Sequence, residues 1–198
     1  PEYSPEIYQV TPRQMDAFND TDIYFLIGMP FEEELVKRIT ATFPNVSIAD
    51  TRAGVQMLSS TGHDHNHDAD AHGHHHYGDD PHIWLDPMRV KLQAHTITRA
   101  FSSRFPEHKQ IFEHNCDAFQ AELDKLHQQI AETLAPVRGQ NFYVFHPSFG
   151  YFADAYGLKQ RAVEFEGKSP GARRLYALME EIKQSGVHAV FEQPQFKT

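Results

Sequence analysis

The chain has 198 residues, of which 40% are apolar and 23% charged, and its formal net charge is −9. That length allows one domain or two small ones, and the composition excludes general disorder and collagen-like or disulfide-dense scaffolds. The acidic balance argues against a general nucleic-acid binder, because little here neutralises phosphates, and the longest apolar runs fall far short of the ~20 residues of a membrane span.

Residues 1–12 are rich in Pro, Tyr and Glu and read as extended. The chain opens on Pro1 rather than Met and stops just beyond an expected strand, so the expectation is a chain cut at both ends. Thr11-Pro12 reads as a helix start, with a hydroxyl at the N-cap and proline at the first helical position. A short helix follows over 13–19. Residues 22–28 form an apolar run ended by Gly28, the pattern of a strand buried on both faces. An amphipathic helix over 31–42 and a strand over 46–50 continue the alternation, which suggests a parallel α/β sheet. Residues 60–79 break it: no apolar period survives among the histidines, and the segment reads as a low-complexity loop. Order resumes at Asp80-Pro81-His82-Ile83-Trp84-Leu85-Asp86-Pro87, before a helix over 88–104.

The longest periodic segment is 107–134. Phe112, Cys116, Phe119, Leu123, Leu126 and Ile130 make one apolar stripe along a helix of about 28 residues, or ~42 Å. Pro136 and Gly139 end it. Strands over 141–145, 161–165 and 189–191 then alternate with helices over 150–156 and 172–185. The fold expected is α/β, two parallel-sheet lobes joined by one long rigid helix. The first lobe spans 1–106 with its His-rich loop, the linking helix 107–137, and the second lobe 138–198.

One cysteine, Cys116, permits neither an intrachain disulfide nor a cysteine-rich zinc module, whereas histidine, at 14 residues, demands an explanation. Seven of the 14 are His63, His65, His67, His72, His74, His75 and His76, interspersed with Asp64, Asp68 and Asp70. Imidazole and carboxylate together suit Zn, Ni or Cu. An internal tract interrupted by aspartates is not a purification tag, and it reads as a weak collector of several ions. His82 stands between Pro81 and an apolar run, just past Asp79-Asp80. Taken by itself it fits a capping or core histidine as well as a ligand. His146 ends a strand, where ligands sit in parallel sheets, and is balanced between the same two roles. His95, His108, His114 and His127 fall on helices and read as solvated, and His188 as structural.

These motifs occur in a recognisable order. Asp80-Pro-His-Ile-Trp-Leu-Asp-Pro87 follows a His-rich loop. A linking helix leads to Phe145-His-Pro-Ser-Phe-Gly-Tyr-Phe-Ala-Asp-Ala-Tyr-Gly-Leu158, and then Glu192-Gln-Pro-Gln-Phe196. From about Pro5 to Phe196 the chain resembles the zinc-binding periplasmic solute-binding proteins of ABC importers, a cluster that also holds manganese-binding and adhesin-like members. The resemblance implies two α/β lobes, a rigid connecting helix, and a metal held in the cleft between the lobes by His82 and His146. Manganese members typically carry glutamate at the position of His146, so imidazole there favours zinc, in line with ligand softness.

Two departures from the family pattern stand out. The first ligand is usually a histidine in a Pro-His-x-Tyr/Phe-x-x-x-Pro stretch. Here the matching residues are Pro5-Glu-Ile-Tyr-Gln-Val-Thr-Pro12, with Glu6 at the histidine's place, and a carboxylate can ligate zinc at ~2.0–2.2 Å. The last ligand, usually a carboxylate, would fall beyond Thr198. Glu192 is a weak stand-in for it, and Glu164 and Glu166 are weaker.

The resemblance therefore implies a non-enzymatic, monomeric, periplasmic or otherwise extracytoplasmic protein. It would bind Zn²⁺ through Glu6, His82 and His146 and deliver it to an ABC permease. Ligand imidazoles must be neutral, so binding should weaken on acidification. Two rivals remain open from sequence. One is a metal-dependent surface adhesin of the same fold. The other is a His₂Glu zinc hydrolase, against which stands the absence of a His-Glu-x-x-His helix.

Overall fold

The computed structural model describes residues 8–59, 78–164, 171–185 and 190–191. They fall into two compact units. One takes in Pro1–Gln56 and Pro87–Gln129, the other Met57–Asp86 and Ile130–Thr198.

In the first unit, Thr11 caps α1 (Pro12–Asp16). Its hydroxyl accepts from Gln14 N, and the Gln14 side chain returns the bond to Thr11 N at 2.9 Å. A 3₁₀ turn, Ala17–Asp20, leads into β1 (Ile23–Leu26). Then come α2 (Pro30–Thr42) and β2 (Ser47–Asp50), which pairs in parallel with β1 from Ile23↔Ser47 to Leu26↔Asp50. Met15, Phe18, Leu35 and the fully buried Ile39 form the core, with Tyr24, Phe31 and Phe43 packed against it. The apolar positions of α2 recur at helical spacing, so its inner stripe meets the sheet.

The turn between β1 and α2 is held by Glu32, in the first turn of α2 and buried. One of its carboxylate oxygens accepts from the backbone N–H of Ile27, Gly28 and Met29 at 3.1, 2.7 and 2.7 Å. The other accepts from the Tyr24 hydroxyl at 2.9 Å. These amides lie at a helix N-terminus, where negative charge is stabilised by the helix dipole. Gly28 has φ 90°, a left-handed conformation that favours glycine, and a Cβ there would meet the Arg52 side chain.

Next in the chain are α3 (Pro87–Arg104), a 3₁₀ turn at Pro106–His108, and α4 (Lys109–Leu134), 26 residues or about 39 Å long. The long periodic segment is thus helical, with its first turn tightened after Phe105. The expected stripe is buried at Cys116 and Leu123, while Phe119 and Leu126 are 43% and 44% exposed. α4 begins in the first unit and ends in the second.

The second unit carries β3 (Asn141–Val144), α5 (Gly150–Tyr156), β4 (Lys159–Ala162), α6 (Ala172–Ser185) and β5 (Val190–Phe191). Its sheet is parallel with order β4-β3-β5. The strand expected over 161–165 begins two residues earlier. Gly157, in the left-handed region at φ 67°, ends α5, and Gly139 N donates to its carbonyl at 2.7 Å, which sets the register Asn141↔Lys159. Backbone pairing therefore recruits the polar Lys159 and Gln160 that side-chain pattern had left out, and Phe165 lies outside the described residues.

Sequence grouped 57–86 with the first lobe. The hydrogen bonds of this segment run instead to α5. Leu58 N donates to the Tyr151 hydroxyl at 3.0 Å, and that hydroxyl donates to the Asp80 carbonyl at 2.6 Å. Asp80 N closes the bridge on Leu58 O at 2.8 Å. Tyr151 is fully buried, so these bonds form away from competing water and hold the segment firmly.

Glu32→Ala should lower the unfolding free energy by about 3 kcal/mol or more, because several buried donors lose a charged acceptor together. Urea denaturation measures it, and an unchanged midpoint would contradict the capping role. Burial first, and then the bond to Glu32, push the Tyr24 phenol well above its ordinary value. Its stabilising contribution is complete below the unfolded value of ~10 and is lost as pH rises beyond it. Tyr24→Phe should flatten that alkaline decline in a pH series.

Candidate metal centre

Each candidate histidine is delivered by a constrained piece of backbone. Hydrogen bonding of β3 to its neighbour continues past Val144, since Phe145 N donates to Phe191 O at 2.8 Å. The chain is released at His146, at the carboxyl end of the parallel sheet, where side chains are free to meet a ligand. Ser148 N returns to His146 O at 2.8 Å, and Phe149 N donates to the Gln160 side chain at 2.6 Å, so the turn into α5 is pinned on both sides. His82 follows Pro81, and the fully buried Ile83 anchors the 3₁₀ turn Ile83–Leu85 that comes next.

Carboxylates complete the arrangement. The His82 ring Nδ1 lies 2.6 Å from Asp80 Oδ1, which also accepts from His82 N at 2.9 Å. The His146 Nδ1 lies 3.2 Å from Glu164 Oε2. The side chains of His82, Asp80, His146 and Glu164 are 12%, 8%, 6% and 5% exposed. An ionised carboxylate only accepts, so against one each Nδ1 would hold the proton and each Nε2 would present its lone pair. Those two Nε2 atoms face each other at 3.3 Å, with ring centroids 5.2 Å apart and planes at 71°.

Two lone pairs at that distance repel unless a cation or a proton lies between them. Two nitrogens bound to one tetrahedral zinc at ~2.0–2.1 Å are themselves ~3.3–3.4 Å apart. The spacing of the pair therefore fits a shared zinc ion.

The structure thus brings together His82 and His146 of the expected ligands. Glu6, Glu166 and Glu192 lie outside the described residues, as do His63, His65, His67, His72, His74, His75, His76 and His188. Among the described residues no group of three His, Cys, Asp or Glu side chains forms a complete metal site. Glu164, weighed in sequence as a stand-in ligand, bonds instead to the far nitrogen of His146. His95, His108 and His114 are exposed on their helices, and His127 is half-buried. Sequence missed the orienting contacts of Asp80 and Glu164. For Asp80 a signal existed, a carboxylate two residues before a candidate ligand. For Glu164 none did, because it meets His146 only through strand pairing.

The family model for the periplasmic zinc-uptake complex component A, ZnuA, matches residues 1–198. The chain belongs to the ZnuA family. A high-affinity zinc uptake system protein ZnuA of Brucella abortus is 36% identical over 120 residues, covering 60% of this chain and 36% of that protein. The protein of the same name from Yersinia pestis is 28% identical, covering 98% of this chain and 66% of its own length. A crystal structure of ZnuA superposes with a TM-score of 0.87 at 36% identity, over 100% of this chain and 74% of that one. The chain spans about a third of the length of the Brucella relative it matches.

In this ZnuA-family chain the one tryptophan, Trp84, sits with its ring 5.2 Å from that of His82 and is 40% exposed. An ion that binds His82 changes the charge beside the indole. Zn²⁺ should therefore shift Trp84 fluorescence in the unaltered protein and leave it unmoved in His82→Ala. A zinc response that survives His82→Ala would place the ion elsewhere.

Proposed function

We propose that this chain is the metal-binding part of an extracytoplasmic, periplasmic zinc receptor that hands Zn²⁺ to an ABC permease. The observation that carries the reading is the pair of part-buried Nε2 atoms facing each other at 3.3 Å. The ZnuA family membership supports it. Zinc is cargo: it exchanges hydration water for His82 and His146, with Glu6 as a third ligand. No covalent bond of a substrate is made or broken, and the receptor works as a monomer. Imidazole rather than carboxylate and water favours zinc over manganese. The histidines of the 60–79 segment act as a weak auxiliary collector. Each ion there has to order solvated chain, at ~1–2 kcal/mol per residue fixed, a cost that ligands on a strand end and a proline-bounded turn largely avoid.

Calorimetry on the whole protein should give one tight Zn²⁺ event that His146→Ala weakens at least 100-fold, with Mn²⁺ bound far more weakly. Equal or tighter Mn²⁺ binding would reverse the assignment. Deleting residues 63–76 should remove only weaker additional events. Loss of the tight event in that deletion would make the His-rich segment the primary site. Zinc competes with protons for imidazole, so the tight event should weaken on acidification.

A further inference from the structure

We infer that Asp80 and Glu164 are the positioning residues of the zinc pair, and that Gly150 is the residue that lets Asp80 take that place. The inference rests on the zinc reading above and adds to it the residues that set the geometry.

Asp80 and Glu164 are both buried, and each side chain meets a histidine ring, Asp80 that of His82 at 2.6 Å and Glu164 that of His146 at 3.2 Å. A buried carboxylate without a cation is costly. Both carboxylates bond the same ring nitrogen, Nδ1. A carboxylate that merely satisfied a core histidine could take either nitrogen, whereas both here leave Nε2 turned toward the partner ring. Hydrogen bonds of this kind fix the tautomer and the ring plane of metal-binding histidines, and their loss typically costs 10–100-fold in affinity.

Asp80 is itself held. Its carbonyl accepts from the buried Tyr151 hydroxyl, and its amide is tied to Leu58. Its carboxylate lies over the first residue of α5, where a Cβ on Gly150 would fall 2.7 Å from Asp80 Oδ2. Real Cβ atoms do not approach so closely, so any side chain at 150 has to push that carboxylate away. The backbone of Gly150 is not in the left-handed region, so the requirement for glycine comes from this close approach.

Side-chain ¹⁵N NMR of the metal-free protein in mildly alkaline buffer, followed by Zn²⁺ calorimetry, tests the proposal. The unaltered protein should show both histidines with the proton on Nδ1. Asp80→Asn should mix the tautomers of His82 and leave His146 as it was; Glu164→Gln should do the converse. Gly150→Ala should reproduce the His82 effect, and each variant should bind zinc 10–100-fold more weakly. A general loss of folding would move both histidines together, so the one-to-one pattern marks positioning. Unchanged tautomers in Asp80→Asn and Glu164→Gln would overturn the proposal, as would altered tautomers with unaltered zinc affinity. The NMR arm needs no metal. A protein with the expected tautomers that failed to bind zinc would remove the zinc reading and leave the orienting role standing.

Discussion

The arrangement depends on one electrostatic constraint: two imidazole lone pairs are held face to face in a buried place. Left alone, such a pair would turn apart or share a proton. Here each ring is tied from behind by a carboxylate, Asp80 for His82 and Glu164 for His146. The rings are oriented before any ion arrives, so little ordering remains to be done on binding, which is the general advantage of a preorganised site. A ring that donates to a carboxylate through Nδ1 presents a more basic Nε2 to a cation, so carboxylate, imidazole and ion would support one another.

The second unit is organised around that pair. Parallel pairing brings β3 and β4 to a common carboxyl edge, and His146 and Glu164 leave the sheet there side by side. Val163 N and Glu164 N continue the pairing onto Val144 O and Phe145 O at 2.9 Å each, so the Glu164–His146 contact follows from the register of the sheet. His82 and Asp80 come from a different stretch of chain, and Tyr151 joins that stretch to α5. One buried hydroxyl thus links the His82 segment to the helix that begins just after His146. The first unit solves a similar problem without a metal. Buried Glu32 finds its positive partners in backbone amides at the start of α2 and in the Tyr24 hydroxyl. Glu32 has donors enough to be a structural carboxylate, whereas Asp80 and Glu164 each meet an imidazole whose other nitrogen faces the second ring.

Much of this was legible in the sequence. Alternation of short apolar runs with amphipathic segments placed the strands and helices within a few residues, because backbone hydrogen bonding and helical periodicity leave strong local marks. Thr11-Pro12 announced its capping box. Position at a strand end marked His146 as a candidate and the rigid residues on either side marked His82, and the family resemblance was what joined them as a pair. Features that depend on the pairing of distant segments were not legible. The start of β4 at Lys159 is set by Gly157 and the register with Asn141, not by side-chain pattern. Glu164 meets His146 through that same register. The hydrogen bonds that tie Leu58 and Asp80 to α5 meet at one tyrosine hydroxyl, that of Tyr151. Gly150 reads as an ordinary helix-start glycine until Asp80 is placed above it.

The account stands or falls on whether one ion joins the two facing nitrogens. The most direct measurement is anomalous diffraction at the zinc edge from crystals of the zinc-loaded protein. The account predicts a single strong peak within ~2.0–2.1 Å of the Nε2 atoms of both His82 and His146. A peak bound to neither histidine, or to one of them through Nδ1, would contradict it.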